Sequence, residues 1–170
     1  MNGINSQSTT PAFDELYRTY APRVIKLCLG YTGDYAQAQD LMQETFIRVW
    51  QNLPDFKGTA KVSTWIYRIT VNTCLNHLRT TKRRATDLLQ EKHTQTLTNE
   101  TDDTNEQVQL LYQCISQLAE TDRLIISLLL DDVAYPEIAQ IMGISDGNLR
   151  VKIHRIKQQL IILFQRHGQF

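Results

Sequence analysis

The stretch YPEIAQIMGISDGNLRVKIHRIKQQL, residues 135–160, constrains the fold more than any other part of the chain. Pro136 suits the first turn of a short helix, where no backbone donor is needed. Gly143 suits a left-handed C-terminal cap, Ile144 tucks into the turn, and Ser145 is placed to cap the next helix. Leu149, Ile153, Ile156, Leu160 and Leu163 then recur at steps of four and three, the buried stripe of a longer helix. Helix, glycine turn and longer helix make up the shape of a helix-turn-helix, whose second helix lies in the major groove of DNA.

On the outer side of that second helix, Asn148, Val151, Lys152 and Arg155 fall within one broad arc, with Arg150, His154 and Lys157 toward its flank. Residues of the first turns, Ser145 and Asn148 among them, come nearest the base edges, and later basic groups nearest the phosphates. Asn148 offers a base both a donor and an acceptor, and Val151 is suited to a thymine methyl. A basic amphipathic helix in a bundle without nucleic acid would show a similar face; the coincidence of cap, turn glycine and basic arc favours DNA. No histidine or acid stands at metal-ligand spacing from His154, so no metal is expected there. The chain has no Walker loop, no GxSxG and no HExxH, and neither catalysis nor a cofactor is expected.

The rest of the chain also reads as helix. Leu16, Tyr20, Val24 and Leu27 have helical spacing within residues 13–29, where Pro22 either kinks the helix or begins it afresh. After the turn signal TGD, residues 35–53 carry an apolar stripe of Ala38, Leu41, Met42, Phe46, Val49 and Trp50, with Asp40, Glu44 and Arg48 on another face. A third helix, roughly 64–82, is expected to start from a Ser63 or Thr64 cap and to bury Ile66, Ile69, Leu75 and Leu78. Residues 85–105 are polar and aperiodic, the composition of a flexible linker. Beyond them, 106–118 place Val108, Leu111, Ile115 and Leu118 at helical spacing, and 121–131 contain the apolar run LIISLLL. Strand signals of period two are missing. The expected fold is all-α: two small helical domains, 10–84 and 106–167, joined by the linker 85–105, the second being the helix-turn-helix.

A net charge of zero conceals a strong segregation. Residues 1–84 carry eleven Lys/Arg against six Asp/Glu, residues 85–137 two against eleven, and residues 147–170 five basic groups and no acid. Two basic zones around an acidic middle suggest two separate contacts with a polyanion. The acidic linker is also able to fold back on the basic faces, an interaction that salt would weaken. Cys28, Cys74 and Cys114 are odd in number and far apart, as expected of reduced, buried thiols. The polar N-terminus and the lack of a long apolar run make the cytoplasm the expected compartment, with no membrane insertion.

Residues 54–84 interleave Phe56, Trp65 and Tyr67 with Lys57, Lys61, Arg68, Arg79, Lys82, Arg83 and Arg84. Unpaired bases stack on aromatic faces while cations neutralise the backbone, so the mixture suits single-stranded DNA. Aromatics at helical spacing are more often core, and Trp65 with Ile66 fits that role. The loop DFKGTAKVS is small, polar and basic, suited to a pocket for an everted base.

DLMQETFIRVW, then FKGTAKVSTWIYRITVN, then the helix-turn-helix resemble, in order and spacing, the extracytoplasmic-function (ECF) group of the sigma-70 family. The resemblance covers residues 13–165. It implies an alternative sigma factor that binds core RNA polymerase and promoter DNA, duplex and melted non-template strand, and is held inactive by an anti-sigma factor. On that basis Asp40, Gln43, Glu44 and Arg48 would contact polymerase. The loop 56–63 and the helix through Asn72, with Phe56, Lys57, Lys61, Ser63, Tyr67 and Arg68, would hold the −10 strand, and Arg79, Lys82, Arg83 and Arg84 would follow its backbone. The C-terminal helix would read the −35 element. The chain departs from the family's usual residues at Ala134, at Asn148–Leu149–Arg150–Val151–Lys152 and at Ala60–Lys61, so its base preferences are its own. A conventional helix-turn-helix regulator would explain 135–165 equally well but leaves the basic, aromatic segment 56–84 without a role.

Overall fold

A computed structural model describes residues 12–87 and 106–167, and the side chains of all of these but 82–87. Seven α-helices are present among them: α1 (Phe13–Thr32), α2 (Tyr35–Asn52), α3 (Val62–Asp87), α4 (Glu106–Ser116), α5 (Glu120–Leu130), α6 (Tyr135–Met142) and α7 (Asp146–His167). A short 3-10 turn, Leu53–Asp55, follows α2. Most of the expected linker, 88–105, lies outside the described residues, while 85–87 form the end of α3.

Helices α1–α3 pack on one another, as do α4–α7. Pro22 does not start a new helix; α1 runs through it without interruption. Asp34 begins α2 by accepting the Gln37 N–H at 2.8 Å, the side-chain cap that satisfies one of a helix's orphan donors. Helix α3 starts at Val62, so Ser63 and Thr64 sit inside its first turn and do not cap it. The helix nevertheless carries several β-branched threonines. Thr70 and Thr73 are buried, and their hydroxyls donate to the carbonyls of Ile66 and Ile69 at 2.9 Å, so neither hydroxyl is left without a partner.

The core forms as the spacing predicts for Leu16, Val24 and Leu27 of α1, Leu41, Phe46 and Val49 of α2, Ile66 of α3, and Leu149, Ile153, Ile156 and Leu160 of α7. Two expected core residues stand outside it: Trp50 is 63% exposed, and Val108 is exposed on α4. All three cysteines are free and buried. Cys74 is held as a neutral thiol, its pKa pushed up by a hydrogen bond with Cys28 and by burial.

The two helical sets also pack on each other: α1 against α5 and α4, and α3 against α6. Their buried residues form one continuous cluster. Helix α5 accounts for this. Leu124, Ile125, Ile126, Ser127 and Leu128 are all buried, and five successive residues at about 100° each sweep the whole circumference of a helix. A helix apolar all round needs neighbours all round, and α5 has α1 on one side and α4, α6 and α7 on the others.

Candidate nucleic-acid interface

The turn between α6 and α7 is built as the sequence predicts. Tyr135 and Pro136 open α6 after Ala134, and Gly143 ends it at φ 67°, a left-handed conformation open to glycine at little cost. The Ile144 N–H donates back to the Ala139 carbonyl at 3.1 Å. Ser145 Oγ accepts the Asn148 N–H at 3.3 Å, the expected cap of α7. Burial of Leu149, Ile153 and Ile156 turns the opposite face outward, where Asn148, Arg150, Val151, His154, Arg155 and Lys157 are exposed. The Arg150 guanidinium lies 5.6 Å from the centre of the Tyr135 ring, a cation–π contact tying the start of α6 to α7. Lys152 differs from its neighbours: half-buried, it pairs with Asp122 of α5 at 3.2 Å.

The N-terminal candidates divide. Phe56 packs on Trp65, ring centres 4.7 Å apart, and both are half-buried, so the loop is anchored by its aromatics while Lys57 is exposed. Asn72 and Arg79 are exposed along α3 and Ser63 is half-buried. Lys82, Arg83 and Arg84 continue the helix; their side chains are outside those described. Three candidates are engaged by the other helical set. Lys61 pairs with Glu137 of α6, Arg68 Nη2 donates to the Gln140 carbonyl at 3.1 Å, and the Tyr67 hydroxyl donates to Asp131 at the end of α5. Tyr67 is only 2% exposed. Burial first, and the bond to Asp131 second, push its pKa above the ordinary tyrosine value.

On α2, Asp40 and Gln43 are exposed, while Glu44 and Arg48 are half-buried and bonded to each other at 2.6 Å. Beside them lie two exposed apolar side chains, Ile47, which the reading of the sequence passed over, and Trp50, which it placed in the buried stripe. Residues 40, 43, 47 and 50 follow one another at steps of three and four, which is one helix face. That spacing was a usable signal, obscured because Trp50 is also adjacent to the buried Val49. Equally unforeseen were Arg23, 3.9 Å from Asp131, and Arg123, which donates to the carbonyls of Leu118 at 2.9 Å and Tyr31 at 3.1 Å and so joins α5 to the end of α1. Among the described residues no group of three His, Cys, Asp or Glu is placed to hold a metal, and no helix is long and apolar enough to cross a membrane.

An all-helical chain with a capped, exposed, basic recognition helix is a helix-turn-helix nucleic-acid-binding protein. Comparison with known proteins narrows this class. Sigma-70 region 2 matches residues 16–84 and Sigma-70, region 4 matches residues 108–160. The chain is 31% identical to the ECF RNA polymerase sigma factor SigE of Mycolicibacterium smegmatis, over 98% of this chain and 67% of that one. It is 32% identical to the ECF RNA polymerase sigma-E factor of Salmonella typhimurium (88% and 84% covered) and 28% identical to SigW of Bacillus subtilis (88% and 87%). Among solved structures it shares its fold with the sigma factor RpoE of Bartonella quintana, crystallised in complex with the anti-sigma factor NepR. The TM-score is 0.81 at 18% identity, covering 90% of this chain and 96% of that one. CnrH in complex with the cytosolic domain of CnrY is similar at a TM-score of 0.65 and 18% identity, with 91% and 88% covered. The chain belongs to the sigma-70 family of RNA polymerase sigma factors, in its ECF group, and is an alternative sigma factor directing promoter-specific transcription initiation.

Proposed function

We propose that this sigma factor divides its work between its two helical sets, α1–α3 and α4–α7. Helix α7 reads −35 duplex DNA: Ser145, Asn148 and Val151 face base edges, and Arg150, His154, Arg155 and Lys157 take phosphates, joined by Lys152 once released from Asp122. The loop after α2 and the outer side of α3, with Phe56, Lys57, Lys61, Ser63, Tyr67, Arg68, Asn72 and Arg79 to Arg84, open and hold the −10 strand. Helix α2 docks on core polymerase through Asp40, Gln43, Glu44 and Arg48, with Ile47 and Trp50 as the apolar centre of that contact; exposed aromatic anchors within a polar rim are where interfaces concentrate their energy. The protein works in the cytoplasm and contributes recognition without catalysis of its own. An anti-sigma partner fits as well, since RpoE was crystallised with one.

The observation that carries this reading is the exposed basic face of α7 within the segment matching Sigma-70, region 4. Reconstitution with sigma-free core polymerase on a promoter library tests it, with promoter-dependent transcripts expected. Duplex binding without any such transcript would return the chain to the class of ordinary helix-turn-helix regulators.

A further inference from the structure

Val151 is exposed at the middle of the base-reading arc of α7, and the residues on either side of it are cations. At about 100° per residue, Arg150 and Lys152 leave the helix on opposite flanks of that arc. Each flank meets a different neighbour. The Arg150 guanidinium lies over the ring of Tyr135 at the start of α6, 5.6 Å from its centre. Lys152 Nζ reaches Asp122 in the first turn of α5 at 3.2 Å, both residues being half-buried. Arg155 and Lys157, about a turn further along α7, are exposed.

The two contacts hold a cation in chemically different ways. A ring face attracts the positive charge but offers the guanidinium no strong acceptor, so its N–H donors stay available to DNA. A carboxylate accepts the ammonium's hydrogen bond and cancels its charge, and a phosphate has to displace it. A long side chain held in place beforehand also loses less freedom on binding. Tyr135 therefore restricts where Arg150 can go without reducing what it can give. Asp122 reduces what Lys152 can give.

We propose that Tyr135 and Asp122 are positioning residues of opposite sign for −35 recognition: Tyr135 presets Arg150 for the DNA, and Asp122 withholds Lys152 from it. The proposal rests on the assignment of α7 to the −35 duplex. In it, the recognition helix meets DNA with one prepared cation beside Val151 and a second that engages only where a phosphate outcompetes a carboxylate. The strength of the contact is thus set in part by two side chains, on α5 and α6, that act through their partners on α7.

The test uses the full chain bound to core polymerase and a labelled duplex that carries the −35 element of a promoter recovered from the library and ends before its −10 element. Tyr135→Leu removes the ring face and should weaken binding about two- to fivefold, the range of an exposed cation–π contact. Tyr135→Phe keeps the ring face and should bind as the parent chain does. In an Arg150→Ala background Tyr135→Leu should change nothing. Asp122→Asn should tighten binding and steepen its dependence on the logarithm of salt concentration by up to about 0.9, the share of one phosphate contact. In a Lys152→Ala background that steepening should vanish. These cycles separate a specific pairing from a general effect on folding or charge. No loss with Tyr135→Leu, a loss that Tyr135→Phe shares, or one that persists without Arg150 would overturn the role of Tyr135. A salt dependence unchanged by Asp122→Asn, or steepened equally without Lys152, would overturn that of Asp122. Binding that is also indifferent to Arg155→Ala and Lys157→Ala would place the failure in the −35 assignment and overturn both roles with it.

Discussion

Replacing Gly30 with alanine probes the junction of the two helical sets at a point remote from every proposed DNA or polymerase contact. The new Cβ would lie 2.1 Å from Ser127 Oγ and 3.2 Å from Ser127 Cβ. Rotating the serine hydroxyl away relieves the first overlap only, so α5 must still move back by a few tenths of an ångström. Overpacking of this kind costs about 1–3 kcal/mol. Alanine also favours the helical state of α1 by up to about 1 kcal/mol, but α1 is helical whether the sets are docked or apart, so that gain cancels from the docking equilibrium. The ratio of open to docked chain should rise roughly 5- to 150-fold at about 1.4 kcal/mol per decade. Energy transfer between dyes on Gln39→Cys of α2 and Gln158→Cys of α7, both exposed sites, should report it. Gly30→Ala/Ser127→Ala removes the 2.1 Å overlap but keeps the 3.2 Å one, so it should recover only part of the docked form. Unchanged energy transfer in Gly30→Ala, or no recovery at all in the double variant, would refute the reasoning.

Four other outcomes are expected. Arg155→Ala should weaken −35 duplex binding and flatten its dependence on the logarithm of salt concentration by about 0.9, one phosphate's worth; a filter-binding salt series measures this. Ser145→Ala removes the cap of α7 and should cost about 0.5–1 kcal/mol in chemical denaturation, the lower end reflecting its 3.3 Å bond. Trp50→Ala should leave the melting temperature unchanged, since the ring is solvent-exposed, yet weaken association with core polymerase by about 1 kcal/mol or more in a competition assay. Tyr67 has a raised pKa in the folded chain, so its contribution to stability is complete below about pH 10, its unfolded value, and is lost as pH rises toward the folded one. Tyr67→Phe should make the alkaline decline in unfolding free energy shallower; Tyr31, also raised by burial, keeps part of that decline in place.

The parts of the fold legible in the sequence are those dictated by local chemistry. Pro136, Gly143 and Ser145 define the turn by backbone conformation and capping, and the stripe from Leu149 to Leu160 follows from helical period alone. The end of α3 was harder to see because Arg79 to Asp87 carry no apolar face. The threonine there bonds back within the helix, Thr81 Oγ1 donating to the His77 carbonyl at 2.9 Å. Trp50 was misplaced because helical spacing gives a side chain's direction but not what, if anything, lies opposite it. The apolar run in α5 was readable as helix, but the reason for its composition is tertiary: Leu124 to Leu128 are enclosed by helices from both sets. Likewise the charge map suggested two cationic surfaces facing DNA and an acidic linker able to fold back on them. The linker acids lie outside the described residues; among the described ones, Asp122, Asp131 and Glu137 meet basic groups of other helices, and such pairings over long sequence distances leave no local signature.

The enclosure of α5 also bears on how the protein is made. Helices α1–α3 emerge from the ribosome before α5 does, so the sides of α1 and α3 that α5 and α6 cover are bare while the residues from Asp87 to Leu130 follow out of the exit tunnel. At about 5–20 residues per second that interval is roughly 2–9 s. Each nascent chain thus passes once through a stage in which its first helical set is folded without the second. Ribosome-bound chains stalled with α3 outside the exit tunnel and α5 still within it should expose those sides of α1 and α3 to labelling, and the released protein should not.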